Sequence, residues 1–215
     1  FEKSQALGER KQVTVLFADI QRSLDLSRAV GAEGWHNILD RFFAILTDAV
    51  HSYEGTINQY TGDGVMALFG APIAFEDHAR RGCLTALRIK ARVAALSESL
   101  EREHGINFSV RIGLNSGEVV VGQIGDDLRR DYTAQGDTVA VAARMEGLAR
   151  GGTIYAASPT VELVEGLFQW RDKGRHGLNH SNGKPLQVYE LRREEPLRRR
   201  FDVMREKGMA AMIGR

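Results

Sequence analysis

"TINQYTGDGVMALFG", residues 56–70, decides the fold. Two short apolar runs flank Thr61-Gly62-Asp63-Gly64, and Asp-Gly between strand-like segments is the strongest local signal for a hairpin turn. Upstream, "KQVTVLFADI" (11–20) sets Val13, Val15, Phe17 and Asp19 on one face of a strand by the two-residue period. Between these segments, past Gly31 and Gly34, the positions Trp35, Ile38, Leu39, Phe42, Leu46, Ala49, Val50 and Tyr53 repeat at helical spacing. A second helical stretch runs from about Asp77 to Glu103, with Ala79, Cys83, Ala86, Leu87, Val93 and Leu100 as its inner stripe. "INFSVRIGL" (106–114) alternates cleanly and predicts a half-buried strand, which "NSGE" turns into Val119 to Ile124. Strand, helix, strand, strand, helix, strand is the order of an α+β protein with a ferredoxin-like βαββαβ core, an antiparallel sheet with helices on one face. Beyond it, Asp137 reads as the N-cap of a helix through about Arg150, and short strands at 153–156, 167–170 and 186–191 complete the domain.

The bulk numbers fit one domain with tails. The expected division is a linker at 1–10, a domain at 11–192 and a basic linker at 193–215. Lys plus Arg number 29 against 28 Asp plus Glu, so the net charge of +1 argues against a polyanion-binding surface. No aromatic and basic strand motif of the RNA-recognition type is present, so no nucleic-acid partner is expected. Cys83 is the single cysteine, which excludes an internal disulfide and fits a reducing compartment. The longest apolar stretch, Val65 to Phe75, contains Gly70 and Pro72 and falls short of the roughly 20 residues that span a bilayer. No membrane span is predicted. With no initiator Met and no signal-like start, a cytoplasmic piece of something longer is expected.

Chemistry enters with two acids. Asp19 ends one strand and Asp63 sits in the hairpin turn, and in a βαββαβ sheet those strands are neighbours, which brings the carboxylates together. Converging carboxylates repel unless a cation lies between them. Hard oxygen donors with few other protein ligands suit Mg²⁺ or Mn²⁺, whose remaining positions are filled by water and substrate phosphates. The competing reading gives Asp19 to helix capping and Asp63 to turn geometry; their joint placement at the edge of one apolar sheet favours the metal.

"VTVLFADI", "TGDGVMALFG", "GLNSGEVVVG" and "GDTVAVAARM", in that order, resemble the catalytic domain of class III nucleotidyl cyclases, especially bacterial forms similar to soluble adenylate cyclase. The likeness runs from about Lys11 to Leu191. It implies a head-to-tail homodimer that converts ATP, or GTP, to the cyclic nucleotide and pyrophosphate. It also implies two Mg²⁺ or Mn²⁺ ions held by Asp19, Asp63 and the backbone carbonyl of Ile20. The segment Ile20, Gln21, Arg22, Ser23, Leu24 would turn backbone N–H groups toward the phosphates at a helix start. Arg144 matches the family's transition-state arginine, reaching over from the partner; a structural salt bridge is its alternative role.

Three positions depart from the family pattern. Gln59 stands where a Lys usually contacts adenine, with Thr133 as its companion. A carboxamide pairs with either an adenine or a guanine edge, and a solvated strand residue is the bland alternative. Ala140, one helical turn before Arg144, replaces the Asn that orients the ribose. His180 occupies the place of a phosphate-contacting Lys, for which Lys184 is a substitute. The retained residues imply an active cyclase; the departures imply a degenerate domain that binds nucleotide and regulates an attached one. The closing "AAMIGR" (210–215) resembles the entry to an ATPase module that follows cyclase domains in large bacterial regulators.

Overall fold

A computed structural model describes residues 9–124, 131–177 and 185–196, with the backbone alone for 123, 124 and 131–135. In chain order the elements are β1 (Glu9–Ile20), α1 (Ser23–Ser52), β2 (Thr56–Tyr60), β3 (Gly64–Phe69), α2 (His78–His104) and β4 (Val110–Ile124). They continue with β5 (Asp131–Gln135), α3 (Asp137–Leu148), β6 (Ile154–Ala157), α4 (Ser158–Leu163), β7 (Phe168–His176) and β8 (Leu186–Glu194). One sheet runs in the order β2-β3-β1-β4-β6-β8-β7, with β5 paired to β4. Its first four strands are mutually antiparallel and form the expected βαββαβ core. β6 then joins β4 in parallel.

β1 is covered on both faces. Leu16, Ala18 and Ile20 enter the main core with Phe42 and Leu46 of α1 and Cys83 and Ile89 of α2. Val13 and Val15, with Phe17 packed alongside, meet Met66, Leu68, Val119 and Ala142 of α3 on the opposite face. A strand buried on two sides reads as a continuous apolar run, which is what Val15 to Ala18 supplies. Helices thus lie on both faces of the finished sheet, not on one as the core pattern alone predicts.

Four local expectations need correction. "NSGE" is not a turn, because β4 pairs with β1 from Glu9 opposite Val121 to Ile20 opposite Val110 without interruption. Asn115 and Ser116 are buried: Asn115 Nδ2 donates to the Thr138 carbonyl at 3.1 Å while its Oδ1 has no partner, and Ser116 Oγ bonds Thr14 Oγ1 at 2.7 Å and Thr160 Oγ1 at 2.9 Å. Ile106 and Phe108 are buried but precede the strand. The N-cap of α3 is Gly136, with Asp137 as its first helical residue and the helix closing at Leu148. Finally, α1 begins at Ser23, well before the periodic stripe, and is bent at Gly31, whose φ of 73° and ψ of 174° suit glycine.

α3 lies directly on β4 at Gly113. A Cβ there would stand 2.1 Å from Glu146 N and 2.4 Å from Ala142 O, both backbone atoms that have no rotamer to move to. Gly113→Ala is therefore expected to cost about 3 kcal/mol or more. Urea unfolding measures this, and an unchanged midpoint would mean that α3 lifts freely from the sheet. Among the described residues no helix is long and apolar enough to cross a membrane. His180, Lys184 and the "AAMIGR" stretch lie outside the described residues.

Candidate active site

The hairpin delivers Asp63 to the end of β1. Asp19 stands opposite Gly64 of β3 on one side and opposite Arg111 of β4 on the other. The Ile20 N–H donates to the Asp63 carbonyl at 3.3 Å, and the Thr61 N–H to the Gly64 carbonyl at 2.9 Å, closing the turn. Gly64 permits this approach, since a Cβ would lie 2.3 Å from the Ala18 carbonyl oxygen.

The electrostatics are those of crowded acids. Burial, then the Asp63 charge, then the Glu146 charge push the Asp19 carboxyl up to about 7, against the opposing pull of Arg111; a hydrogen bond between the Asp19 and Asp63 carboxyls adds to the rise. Burial, more than the Asp63 charge, also raises Glu146. One guanidinium nitrogen, Arg111 Nη2, lies 3.2 Å from Asp19 Oδ2 and 3.0 Å from Glu146 Oε1. Arg111 and Glu146 were not singled out from sequence. In "SVRIGL" Arg111 alternates with Val110, Ile112 and Leu114 and so falls on the face that the pattern leaves polar, which gives it no distinguishing signal.

These residues fit a divalent cation. Asp19 Oδ1 is buried without a hydrogen-bond donor, and its Oδ2 already faces a cationic group. Among the described residues no group of three or more His, Cys, Asp or Glu forms a closed metal cage. Two hard carboxylates suit Mg²⁺ or Mn²⁺ completing its shell from water and phosphates.

A pH dependence follows with a definite sign. The folded value of Asp19 lies above the roughly 3.9 of an unfolded aspartate, so protonated Asp19 favours the fold at about pH 4 and that contribution is lost as pH rises through 7. Without metal, Asp19→Asn is expected to match the parent near pH 4 and to exceed its stability by on the order of 2 to 4 kcal/mol at pH 8. Parallel denaturant titrations at both pH values check this; a constant difference would contradict it.

The segment after β1 begins α1 from Arg22, a left-handed N-cap at φ 60° with no side-chain cap. Gln21 faces inward: its N–H donates to the Ser109 carbonyl at 2.9 Å, and Ser109 Oγ donates to Gln21 Oε1 at 3.1 Å. Among the described residues the N–H groups of Arg22, Ser23 and Leu24 find no backbone acceptor, which leaves three donors at a helix N-terminus.

Gln59 follows a bulge. Ile57 stands opposite Ala67, but Gln59 stands opposite Met66, so Asn58 is the extra residue. Ala67 belongs to the α1–α2 side of the sheet and Met66 to the other side, which is also the Asp19 side. Gln59 thus lies on the face that carries the acids while Ile57, on the far side of the bulge, lies on the other. Thr133 pairs opposite Gly122 in β5, and β5 runs close to β2. Ala140 and Arg144 are exposed on α3. Glu146, two residues on, turns inward to Arg111, and helix residues two apart do not share a face. Arg144 is therefore aimed away from the acids of its own chain.

Residues 6–192 match the family model described as the adenylate and guanylate cyclase catalytic domain. "Adenylate cyclase 1" of Rhizobium meliloti (strain 1021) is 34% identical over 185 residues, which is 85% of this chain and 28% of that protein. The chain thus spans little more than a quarter of this relative's length. Among solved structures, the adenylyl cyclase CyaB from P. aeruginosa superposes with a TM-score of 0.80 at 29% identity, covering 87% of this chain and 96% of that one. The guanylate cyclase domain of RhGC from Catenaria anguillulae, solved in complex with GTP, gives 0.78 at 26% identity over 87% of this chain and 100% of that one.

Proposed function

The chain belongs to the family of adenylate and guanylate cyclase catalytic domains, and on that premise we propose that it converts ATP to 3′,5′-cyclic AMP and pyrophosphate at sites shared by two copies of itself. One observation carries this reading. Asp19 and Asp63 meet beside a buried, unpartnered carboxylate oxygen, while Arg144 and Ala140 of the same chain look outward. A complete site then takes its acids from one protomer and its arginine from the other.

In this reading the N–H groups of Arg22, Ser23 and Leu24 hold the triphosphate at the α1 N-terminus. Asp19, Asp63 and the Ile20 carbonyl would hold two Mg²⁺ or Mn²⁺ ions, which when bound would supply charge neutralisation and a more acidic ribose 3′-hydroxyl. The 3′-oxygen attacks the α-phosphorus, the bond to the bridging oxygen of the pyrophosphate breaks, and the hydroxyl proton leaves to solvent. Arg144 of the partner subunit offsets the charge that develops on the α-phosphate oxygens. Gln59 and Thr133, brought near each other by β2 and β5, read the base edge. A rotated Gln59 amide presents donor and acceptor in either order, so GTP is the second substrate to test.

The assay is direct. Purified protein at high concentration with ATP or GTP and Mn²⁺ is expected to release cyclic product, and silence with both nucleotides defeats the proposal. A second reading, nucleotide binding without turnover, is favoured by Ala140, which has no group to orient a ribose. Under it, nucleotide saturates the protein and no product forms. If turnover is present but slow for that reason, Ala140→Asn is expected to raise kcat by about 10² to 10³-fold, the scale of one preorganised donor. An unchanged kcat would remove Ala140 as the cause. We further propose a cytoplasmic signalling role, with an ATPase-type domain following the cyclase domain; the mass of the native polypeptide tests that extension.

A further inference from the structure

We propose that Arg111 is a resident counter-ion of the acid pair, standing where a divalent ion takes its charge, and that Glu146 is the seat to which it withdraws. The inference rests on the cyclase reading of Asp19 and Asp63 and concerns how this chain manages that site before metal arrives.

The geometry is specific. One atom, Arg111 Nη2, touches both carboxylates, at 3.2 Å to Asp19 Oδ2 and 3.0 Å to Glu146 Oε1. The three side chains are largely withdrawn from water, with 28% of Asp19, 27% of Arg111 and 15% of Glu146 exposed, so their charges act on one another with little screening. Arg111 Nε is buried with no partner, so the guanidinium is tethered at its tip and not along its length. Among the described residues Arg111 is the sole cation within ion-pair range of either Asp19 or Glu146.

Glu146 is held in place by the fold. α3 rests on β4 at Gly113, two residues along the strand from Arg111, with the backbone of Glu146 over that glycine. The two carboxylates therefore flank the guanidinium from different elements, one on β1 and one on α3. A dication arriving at Asp19 repels the guanidinium. Glu146 offers Arg111 a neutralising partner already within contact, so the charge moves a short way and stays paired. The price of this arrangement is weak metal binding in the nucleotide-free protein, because each ion displaces a guanidinium from Asp19.

The test is Mn²⁺ binding by the nucleotide-free protein, read from the free-ion EPR signal, with no turnover involved. R111Q is expected to bind Mn²⁺ about tenfold more tightly than the parent, since the competing charge is gone. R111K keeps a cation in place and is expected to stay within about twofold of the parent. E146Q is expected to weaken binding severalfold in the parent but to change R111Q little, because Glu146 acts through Arg111. An unchanged or weaker affinity in R111Q overturns the proposal, because loss of packing alone does not tighten an ion site. Adding Asp63→Asn to the parent and to R111Q separates the two readings. Loss of binding in both locates the ion at the acid pair, so that a flat R111Q result then counts against the counter-ion alone. Retained binding in both places the ion elsewhere and overturns the counter-ion together with the acid-pair site.

Discussion

Replacing Asp63 by alanine is expected to lower cyclic nucleotide production on the order of 10³-fold or more, with the fold intact. Asp63 is half-buried at the tip of a hairpin whose closing bonds are backbone to backbone, so its side chain does not hold the turn. What the side chain does is oppose the ionisation of Asp19: after burial, its charge is the largest cause of the raised Asp19 value. Without it, Asp19 ionises at lower pH and pairs with Arg111 undisturbed. Two results should therefore appear together in Asp63→Ala. Metal-free stability at pH 8 rises or holds, while the Mn²⁺-induced increase in Tm disappears with the activity. A variant retaining more than about a tenth of parental turnover would show that the acids are not the metal-holding pair.

Mixing two dead variants is expected to restore activity. Asp63→Ala and Arg144→Ala each lack one half of every site in a homodimer. In a head-to-tail heterodimer both lesions fall in the same site and the other site is whole. Random pairing gives half heterodimers with one working site each, so the mixture should reach about a quarter of parental activity, against near zero for either variant alone. The expectation comes from α3, where Glu146 faces the acids of its own chain and Arg144 faces away. No recovery after co-refolding, with both variants dimeric, would mean that Arg144 serves its own chain.

The parts of this molecule that were legible in sequence are those where a local pattern and the tertiary environment agree. The alternation around Asp19, the Asp-Gly hairpin and the α2 stripe are of this kind, and together they fixed the βαββαβ order. "NSGE" misled because turn-forming residues were recruited for buried hydrogen bonds: Asn115 and Ser116 found partners on α3, β1 and α4 that no window of sequence contains. The N-terminal turns of α1 were missed because Ser23 to Val30 has its apolar residues facing outward as often as inward, and Leu24 remains largely exposed. β5 and α4 are short and were passed over. In the site, the acids stood out by position, but Arg111 and Glu146 are 35 residues apart and become partners only through β4 register and the seating of α3. A charge pair of that kind has no sequence signature.

The extra residue at Asn58 sets a rule for anyone transplanting base preference between related hairpins. Counted from the turn, Tyr60 stands opposite Val65 and Gln59 opposite Met66, so the proposed base reader keeps its face from that side, and the odd residue is what lets Ile57 still point toward α1. Grafts into a hairpin without the odd residue, placed by counting two positions on from Ile57, would install the right chemistry on the wrong side. Exchanges by point substitution keep the count, and are the safer route to a changed nucleotide.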